Sequence, residues 1–246
     1  MVSVCIATFN GERYIKEQLD SIICQLERDD EIVISDDNSM DRTVEIIESY
    51  KDTRIRILHA NFRNFKRNFE NALKNAQGEY IFLSDQDDVW LPDKYKRCLE
   101  LLREYDLVVT DSILVDEVLT VIKPSFFEFY SSGKGILKNV YDNTYFGACM
   151  VFKKKVLGYS LPLPKTKEVG HDVWIGLVAE MVGKVYFIKE PFLLYRRHGT
   201  ALTNVTPKLK NRSDRSLYTK IRGRFIMLKE VLFFYLKYKF KKCKTV

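Results

Sequence analysis

At 246 residues, with 46% hydrophobic, 30% charged and 13% aromatic side chains and only 11 Gly and 6 Pro, the chain can bury a core for one large domain or two small ones. This composition excludes a disordered, collagen-like or disulfide-scaffold protein. The net charge of +7 is unevenly placed: residues 207–246 carry +11 and residues 1–206 carry −4, so the basic balance belongs to a tail and no nucleic-acid partner is expected.

Cys5, Cys24, Cys98, Cys149 and Cys243 include no C-x-x-C pair, and their number is odd. Met1 leads directly into a strand-like run, without the charged and apolar segments of a secretory leader. A reduced, cytoplasmic environment is the expectation. No run of about 18 apolar residues occurs, so no spanning helix is expected.

In chain order, residues 2–9 form an apolar, β-branched run that reads as a strand, and Tyr14, Ile15, Leu19, Ile22 and Ile23 then recur at helical spacing. Residues 31–35 predict a second strand and 41–50 a helix. Residues 54–58 predict a third strand and 65–76 another helix, with Gly78 as its left-handed cap. A fourth strand is expected at 80–84, a helix opened by Pro92, and a fifth strand at 107–110. Four successive strand–helix units predict an α/β fold, a mostly parallel sheet with helices on both faces. Such sheets bind ligands at the carboxyl ends of their strands. Residues 123–135 (KPSFFEFYSSGKG) have no clear period; their aromatics either line a cleft or anchor a long loop.

Polar turns follow three of these strands: Thr8-Phe9-Asn10-Gly11, Asp36-Asp37-Asn38-Ser39 and Asp85-Gln86-Asp87-Asp88. All three should meet at one sheet edge. Three carboxylates in four residues repel one another unless a cation or hydrogen-bond donors compensate, and hard oxygen ligands suit Mg²⁺ or Mn²⁺. The competing reading is that acidic turns cap the next helix, as expected for Asp41. Neither a G-x-x-x-x-G-K-[ST] loop nor a G-x-G-x-x-G turn follows the first strand, which disfavours P-loop and dehydrogenase chemistry and leaves phosphate binding mainly to a metal.

Three segments in order, VSVCIATFNGERYIKEQLDSI, ISDDNSMDRT and GEYIFLSDQDDVWLPDK, resemble the family-2 glycosyltransferases of GT-A fold. The SDQDD form is similar to bacterial rhamnosyltransferase-like members that build surface polysaccharides. The likeness covers roughly residues 1–205 and includes GHDVWIGLVAEMVGKVYFIKEPFLLYRRHGTALT. It implies a catalytic domain at 1–206, divided into a nucleotide-sugar half (1–110) and an acceptor half (111–206). It also implies a UDP- or dTDP-sugar donor, with dTDP-rhamnose one candidate, and a saccharide or lipid-linked saccharide acceptor. By resemblance, Thr8, Phe9, Asn10, Asp37 and Asp85 bind the donor, with Phe9 and Asp37 at the base and Asp85 near the ribose. Asp87 and His198 hold the metal, and Asp172 is the catalytic base. A helix expected at 173–181 places Asp172 at a helix N-terminus, where negative charge is favoured. Without the resemblance, Asp172 reads as a helix cap, His198 as a surface histidine, Arg196 and Arg197 as diphosphate contacts or a solvated basic patch, and Trp90 and Trp174 as core.

The sequence departs from the family pattern in three places. Ala7 replaces a proline, NFRNFKRNFE lacks the usual glycine, and Phe146-Gly147 stands for a Thr-Gly pair. Other readings are a sugar-nucleotide nucleotidyltransferase, for which the glycine- and arginine-rich loop is missing, and a non-catalytic nucleotide-sugar-binding or membrane-docking domain. In the 207–246 tail, Leu217, Ile221, Phe225, Leu228, Leu232 and Tyr235 recur every three or four residues among Lys and Arg. This predicts a basic amphipathic helix lying peripherally on the inner face of the plasma membrane. The alternative is a helix packed on the catalytic domain or a partner subunit.

Overall fold

The computed structural model describes residues 1–199 and 216–243. Its first half alternates β1 (Val2–Thr8), α1 (Ile15–Ile23), β2 (Glu31–Asp36), α2 (Thr43–Ser49), β3 (Ile55–His59), α3 (Phe65–Asn75) and β4 (Tyr80–Asp85). The short β5 (Val89–Trp90), α4 (Lys94–Leu102), β6 (Leu107–Val115), β7 (Val121–Lys123), α5 (Phe126–Tyr130) and α6 (Ile136–Tyr141) follow. The second half closes with β8 (Met150–Lys153), α7 (Lys154–Ser160), α8 (His171–Val182), β9 (Val185–Arg196) and α9 (Leu217–Cys243).

Among the described residues, nine strands form one sheet in the order β3-β2-β1-β4-β8-β6-β9-β5, with β7 antiparallel on β6. The strands β3, β2, β1 and β4 are parallel, and the mostly apolar sequences of β1, β2 and β4 suit strands covered on both sides. Val4, Ile6, Ile32, Ile34, Phe82 and Leu83 are fully buried there. The α/β, mostly parallel expectation holds. One neighbour differs: β6, read as the fifth strand, lies beyond β8, which runs antiparallel to both β4 and β6. β6 also continues to Val115, past the expected end at 110.

Several local expectations change. The helix after Pro92 starts only at Lys94, because Asp93 takes a left-handed φ of 65° that no α-helix accommodates. Gly78 is not a left-handed cap; α3 ends at Ala76 in extended conformation, and Gly78 instead lets the backbone approach β1, its N–H donating to Ser3 Oγ at 2.7 Å. Residues 123–135 contain α5, whose Phe126 and Phe127 are buried, so these two rings anchor the segment. α8 starts at His171, two residues earlier than expected. Asp41 does stand at a helix entrance, its Oδ1 accepting from Thr43 N at 3.0 Å. Trp90 and Trp174 are both core residues, 3% and 5% exposed.

The tail is helical over α9, and it packs on the domain. Met227 and Val231 are buried in a second core cluster with Val140, Val173, Trp174 and Leu177, and Phe234 and Tyr238 close over it. The Phe234 ring meets Trp174 edge-on at 5.7 Å. The stripe read from sequence is not this face. Ile221, Phe225, Leu228, Leu232 and Tyr235 are 43%, 68%, 39%, 58% and 39% exposed. The proposed boundary at 206/207 and the Leu217 side chain lie outside the described residues.

Candidate active site

The three polar turns meet because the parallel strands end flush: Thr8 pairs with Asp36 across β1–β2, and Ala7 with Asp85 across β1–β4. The turns are also stitched to one another. Asn10 N donates to Ser39 Oγ at 2.9 Å, and Asn10 Oδ1 accepts from Met40 N at 2.8 Å. Asn10 holds a φ of 48°, which Asn tolerates better than most residues. Phe9 is 54% exposed on this edge, an apolar ring free to take a planar ligand. Thr8 is buried and holds the turn from beneath, its hydroxyl donating to Asp36 Oδ2 at 2.9 Å.

Asp37 is buried, and the loop before α3 engages its carboxylate. Oδ1 accepts from Phe62 N and from Arg63 N at 3.1 Å, and Oδ2 from Asn64 N at 2.9 Å. A carboxylate has about four acceptor positions, so roughly one remains for a base. Arg63 adopts φ 50°, a left-handed geometry that a glycine would adopt without strain.

The acid turn is the electrostatic centre. Carboxylate oxygens of Asp85, Asp87 and Asp88 lie within 4.8 Å of one another. Burial pushes the Asp85 carboxyl up to about 7, with the charges of Asp87 and Asp172 adding and Lys94 opposing. Burial, then Asp87 and Asp85, raises Asp88 well above the usual carboxylate range. Lys94, itself fully buried, donates to Ala148 O at 2.8 Å and lies 4.6 Å over the Trp90 ring; burial lowers its own pKa. A buried ammonium beside buried carboxylates is a compensation the sequence does not announce.

His198 reaches the same turn from beyond the end of β9, its Nε2 standing 2.8 Å from Asp87 Oδ2. The imidazole lies 4.7 Å from the Tyr14 ring. Arg196 is neither a solvated patch nor an open diphosphate contact: it is buried and clamps the site. Its Nε donates to Asp87 O at 2.7 Å, its Nη1 to Glu117 O at 2.8 Å, its Nη2 to Glu17, and its backbone N to Asp88 Oδ1 at 2.9 Å.

Asp172 lies in the first turn of α8, whose N-cap is Gly170, so the cap-only reading does not describe it. A Cβ on Gly170 would sit 2.5 Å from Asp172 Oδ1; the glycine leaves the carboxylate its place. His171 stacks on Phe69 at 4.2 Å, both ring nitrogens buried without hydrogen-bond partners, and burial lowers its pKa. Gly147 lies against His171 and Asp172.

Asp87 and His198 thus meet although they are 111 residues apart, and the charge of Asp172 is felt at Asp85. Sequence reasoning missed Lys94, misread Arg196, and gave Gln86 no role although it stands within the acid turn. The Gln86 amide bridges the backbone of the first turn, accepting from Phe9 N at 2.9 Å and donating to Phe9 O at 3.1 Å. Gly11 makes room for it, since a Cβ there would sit 2.5 Å from Gln86 Oε1.

An exposed sheet edge with an acid turn, a histidine and a helix-borne carboxylate fits group transfer from a nucleotide-linked donor, and the comparisons agree. The family model described as "Glycosyl transferase family 2" matches residues 3–159. The chain is 32% identical over 234 residues to the uncharacterized glycosyltransferase MJ1057 of Methanocaldococcus jannaschii, covering 89% of this chain and 78% of that one. It is 30% identical over 218 residues to the dTDP-rhamnosyl transferase RfbG of Shigella flexneri, covering 78% of this chain and 71% of RfbG. The fold is similar to that of S. aureus TarS 1–349 in complex with UDP-GlcNAc, with a TM-score of 0.69 and 19% identity over 92% of this chain and 66% of that one. The chain belongs to glycosyltransferase family 2, with the GT-A fold, and is a glycosyltransferase.

Proposed function

We propose that the enzyme moves a sugar, with inversion, from a UDP- or dTDP-linked donor to a saccharide or lipid-linked saccharide acceptor, in bacterial surface polysaccharide synthesis. The contact of His198 with the acid turn carries this reading, with the charges of Asp87 and Asp172 both acting on Asp85. The similarity to a dTDP-rhamnosyl transferase supports dTDP-rhamnose as one donor. Residues 1–110 form the nucleotide-sugar half, 111–206 the acceptor half, and 207–246 the tail. The enzyme works in the cytoplasm, peripherally on the inner face of the plasma membrane.

The donor set suits Mg²⁺ or Mn²⁺. Three carboxylates are clustered, and Asp88 Oδ2 is buried without a hydrogen-bond partner. Asp87 and His198 would hold the ion, which supplies a Lewis acid to neutralise charge on the leaving diphosphate. Phe9 takes the base, the turns carrying Asn10 and Asp37 fix its edge, and Asp85 lies near the ribose. The acceptor hydroxyl oxygen bonds to the anomeric carbon as the bond to the diphosphate oxygen breaks. Asp172 takes the hydroxyl proton, and the nucleoside diphosphate leaves with the electron pair.

The test is a panel of UDP- and dTDP-sugars with Mg²⁺ or Mn²⁺, measuring nucleoside diphosphate release by the wild type and by Asp87→Ala. Release that EDTA and Asp87→Ala both abolish is the expected result. Binding of a nucleotide sugar without release under any condition would instead assign a non-catalytic binding domain. Pyrophosphate formed from a sugar 1-phosphate and a nucleoside triphosphate would assign a nucleotidyltransferase.

A further inference from the structure

α9 has two apolar faces, and among the described residues only one packs on the domain. The inner face, Met227, Val231, Phe234 and Tyr238, is cemented to α8 and its neighbours. On the opposite side, Tyr218, Phe225, Leu232, Phe233, Leu236 and Phe240 are 75%, 68%, 58%, 66%, 47% and 70% exposed. Six large apolar side chains on one side of one helix exceed the scattered apolar exposure of ordinary surfaces. Basic residues flank them: residues 217–243 hold eight Lys or Arg against the single acid Glu230, and Arg222 and Lys229 are exposed on the outward side.

We infer that this outward face of α9 docks on an anionic lipid bilayer, with the rings entering the interface and Arg222 and Lys229 meeting lipid phosphates. Charge decides the occupant. A second copy of this chain would set the same cationic helices against each other, whereas a negative lipid surface complements them. The helix lies on the membrane and does not cross it, for no described helix is long and apolar enough to span. Aromatic rings at headgroup depth with cations beside them are the composition such an interface selects.

The docking deepens the proposed function and rests on it for its consequence. α9 approaches the segment that leads into Asp172: Gly223 lies against Glu168, and Arg224 Nε donates to Tyr141 O at 3.1 Å. A bilayer under α9 is therefore tied to the helix carrying the proposed base, which suits an acceptor held on a lipid.

Vesicle co-sedimentation of the full 246-residue chain tests the docking itself, without any need for activity. Wild type should pellet with phosphatidylglycerol-rich vesicles and much less with phosphatidylcholine, and salt should release part of the bound protein. Phe225→Ser with Phe233→Ser should weaken vesicle binding roughly tenfold or more while leaving the thermal midpoint unchanged, since both side chains face solvent. Arg222→Gln with Lys229→Gln, which removes no apolar contact, should lower binding to anionic vesicles by a similar factor and leave the weak phosphatidylcholine binding alone. Wild type that ignores both vesicle types, or variants that pellet like wild type, would overturn the docking. So would a lipid-free dimer, seen by sedimentation velocity, that the outward serines dissolve. Nucleoside diphosphate release is scored separately, so loss of docking and loss of the enzymatic reading give different results.

Discussion

Gln86 grips both backbone polar groups of Phe9, accepting from its N–H at 2.9 Å and donating to its carbonyl at 3.1 Å. One side chain thereby fixes the exposed ring of the first turn to the turn that holds Asp85 and Asp87. Each such bond is worth about 0.5–1.5 kcal/mol net, so Gln86→Ala should raise the donor KM roughly 5- to 50-fold while kcat changes little. Gly11→Ala should reproduce the defect, because the added Cβ would collide with the Gln86 amide. Steady-state kinetics across donor concentrations decide it; a fall in kcat at constant KM would give Gln86 a different role.

Asp172→Asn removes a proton acceptor and keeps the shape. Transfer at saturating donor and acceptor should fall by about 10²–10⁴-fold, the range for general-base catalysis, while calorimetric nucleotide affinity stays within error of wild type. Near-normal turnover would return Asp172 to a purely structural position in the first turn of α8.

Arg196→Met should destabilise the fold as well as the site. The substitution leaves the Asp87 and Glu117 carbonyls without their donor and removes the partner of Glu17, which is half exposed and recovers water. A loss of about 3 kcal/mol is expected from hydrogen bonds to a charged group of which one end is solvated, or a fall of roughly 6–12 °C in the thermal midpoint. Differential scanning calorimetry at pH 7.5 measures it.

His171 makes stability depend on pH. Burial holds its folded pKa below the unfolded value, so the unfolded chain binds the proton first. Its contribution is intact above about pH 6.5 and is lost as pH falls through the lowered folded value. The facing charges act in opposite senses: Asp172 favours protonation and Lys66 opposes it. His171→Leu removes the titration, so the gap in thermal midpoint between wild type and variant should shift in the variant's favour from pH 7 to pH 5.5. A gap constant across that range would show that the imidazole does not titrate on unfolding.

The sheet edge was legible because β1, β2 and β4 are covered on both sides, so their sequences are mostly apolar and end in the polar Thr8, Asp36 and Asp85. A strand end marked that sharply locates a turn to within a residue. The insertion of β8 between β4 and β6 was not legible, since strand order is decided by long-range packing and leaves no local pattern. The clamping role of Arg196 was invisible for the same reason. Its partner Glu17 is 179 residues away, and an arginine in a basic stretch looks the same whether clamped or solvated. His198 and Asp172 were reached only through resemblance. In α9 the outward repeat was legible, and Ile221, Phe225, Leu228, Leu232 and Tyr235 do face solvent. The inner face of Met227 and Val231 was not, since periodicity cannot say which of two regular stripes meets protein.

At the end of β9, Arg196 and His198 stand two residues apart, one locking the acid turn and the other reaching Asp87. The segment therefore serves two masters. Substitutions selected there for a tougher protein would also move a proposed ligand of the metal, and those selected for a different metal preference would loosen the lock. Directed evolution of this enzyme should find the stretch nearly immovable, and gains in hardiness should accumulate instead on helices remote from β9, where rigidity and chemistry are not carried by adjacent side chains.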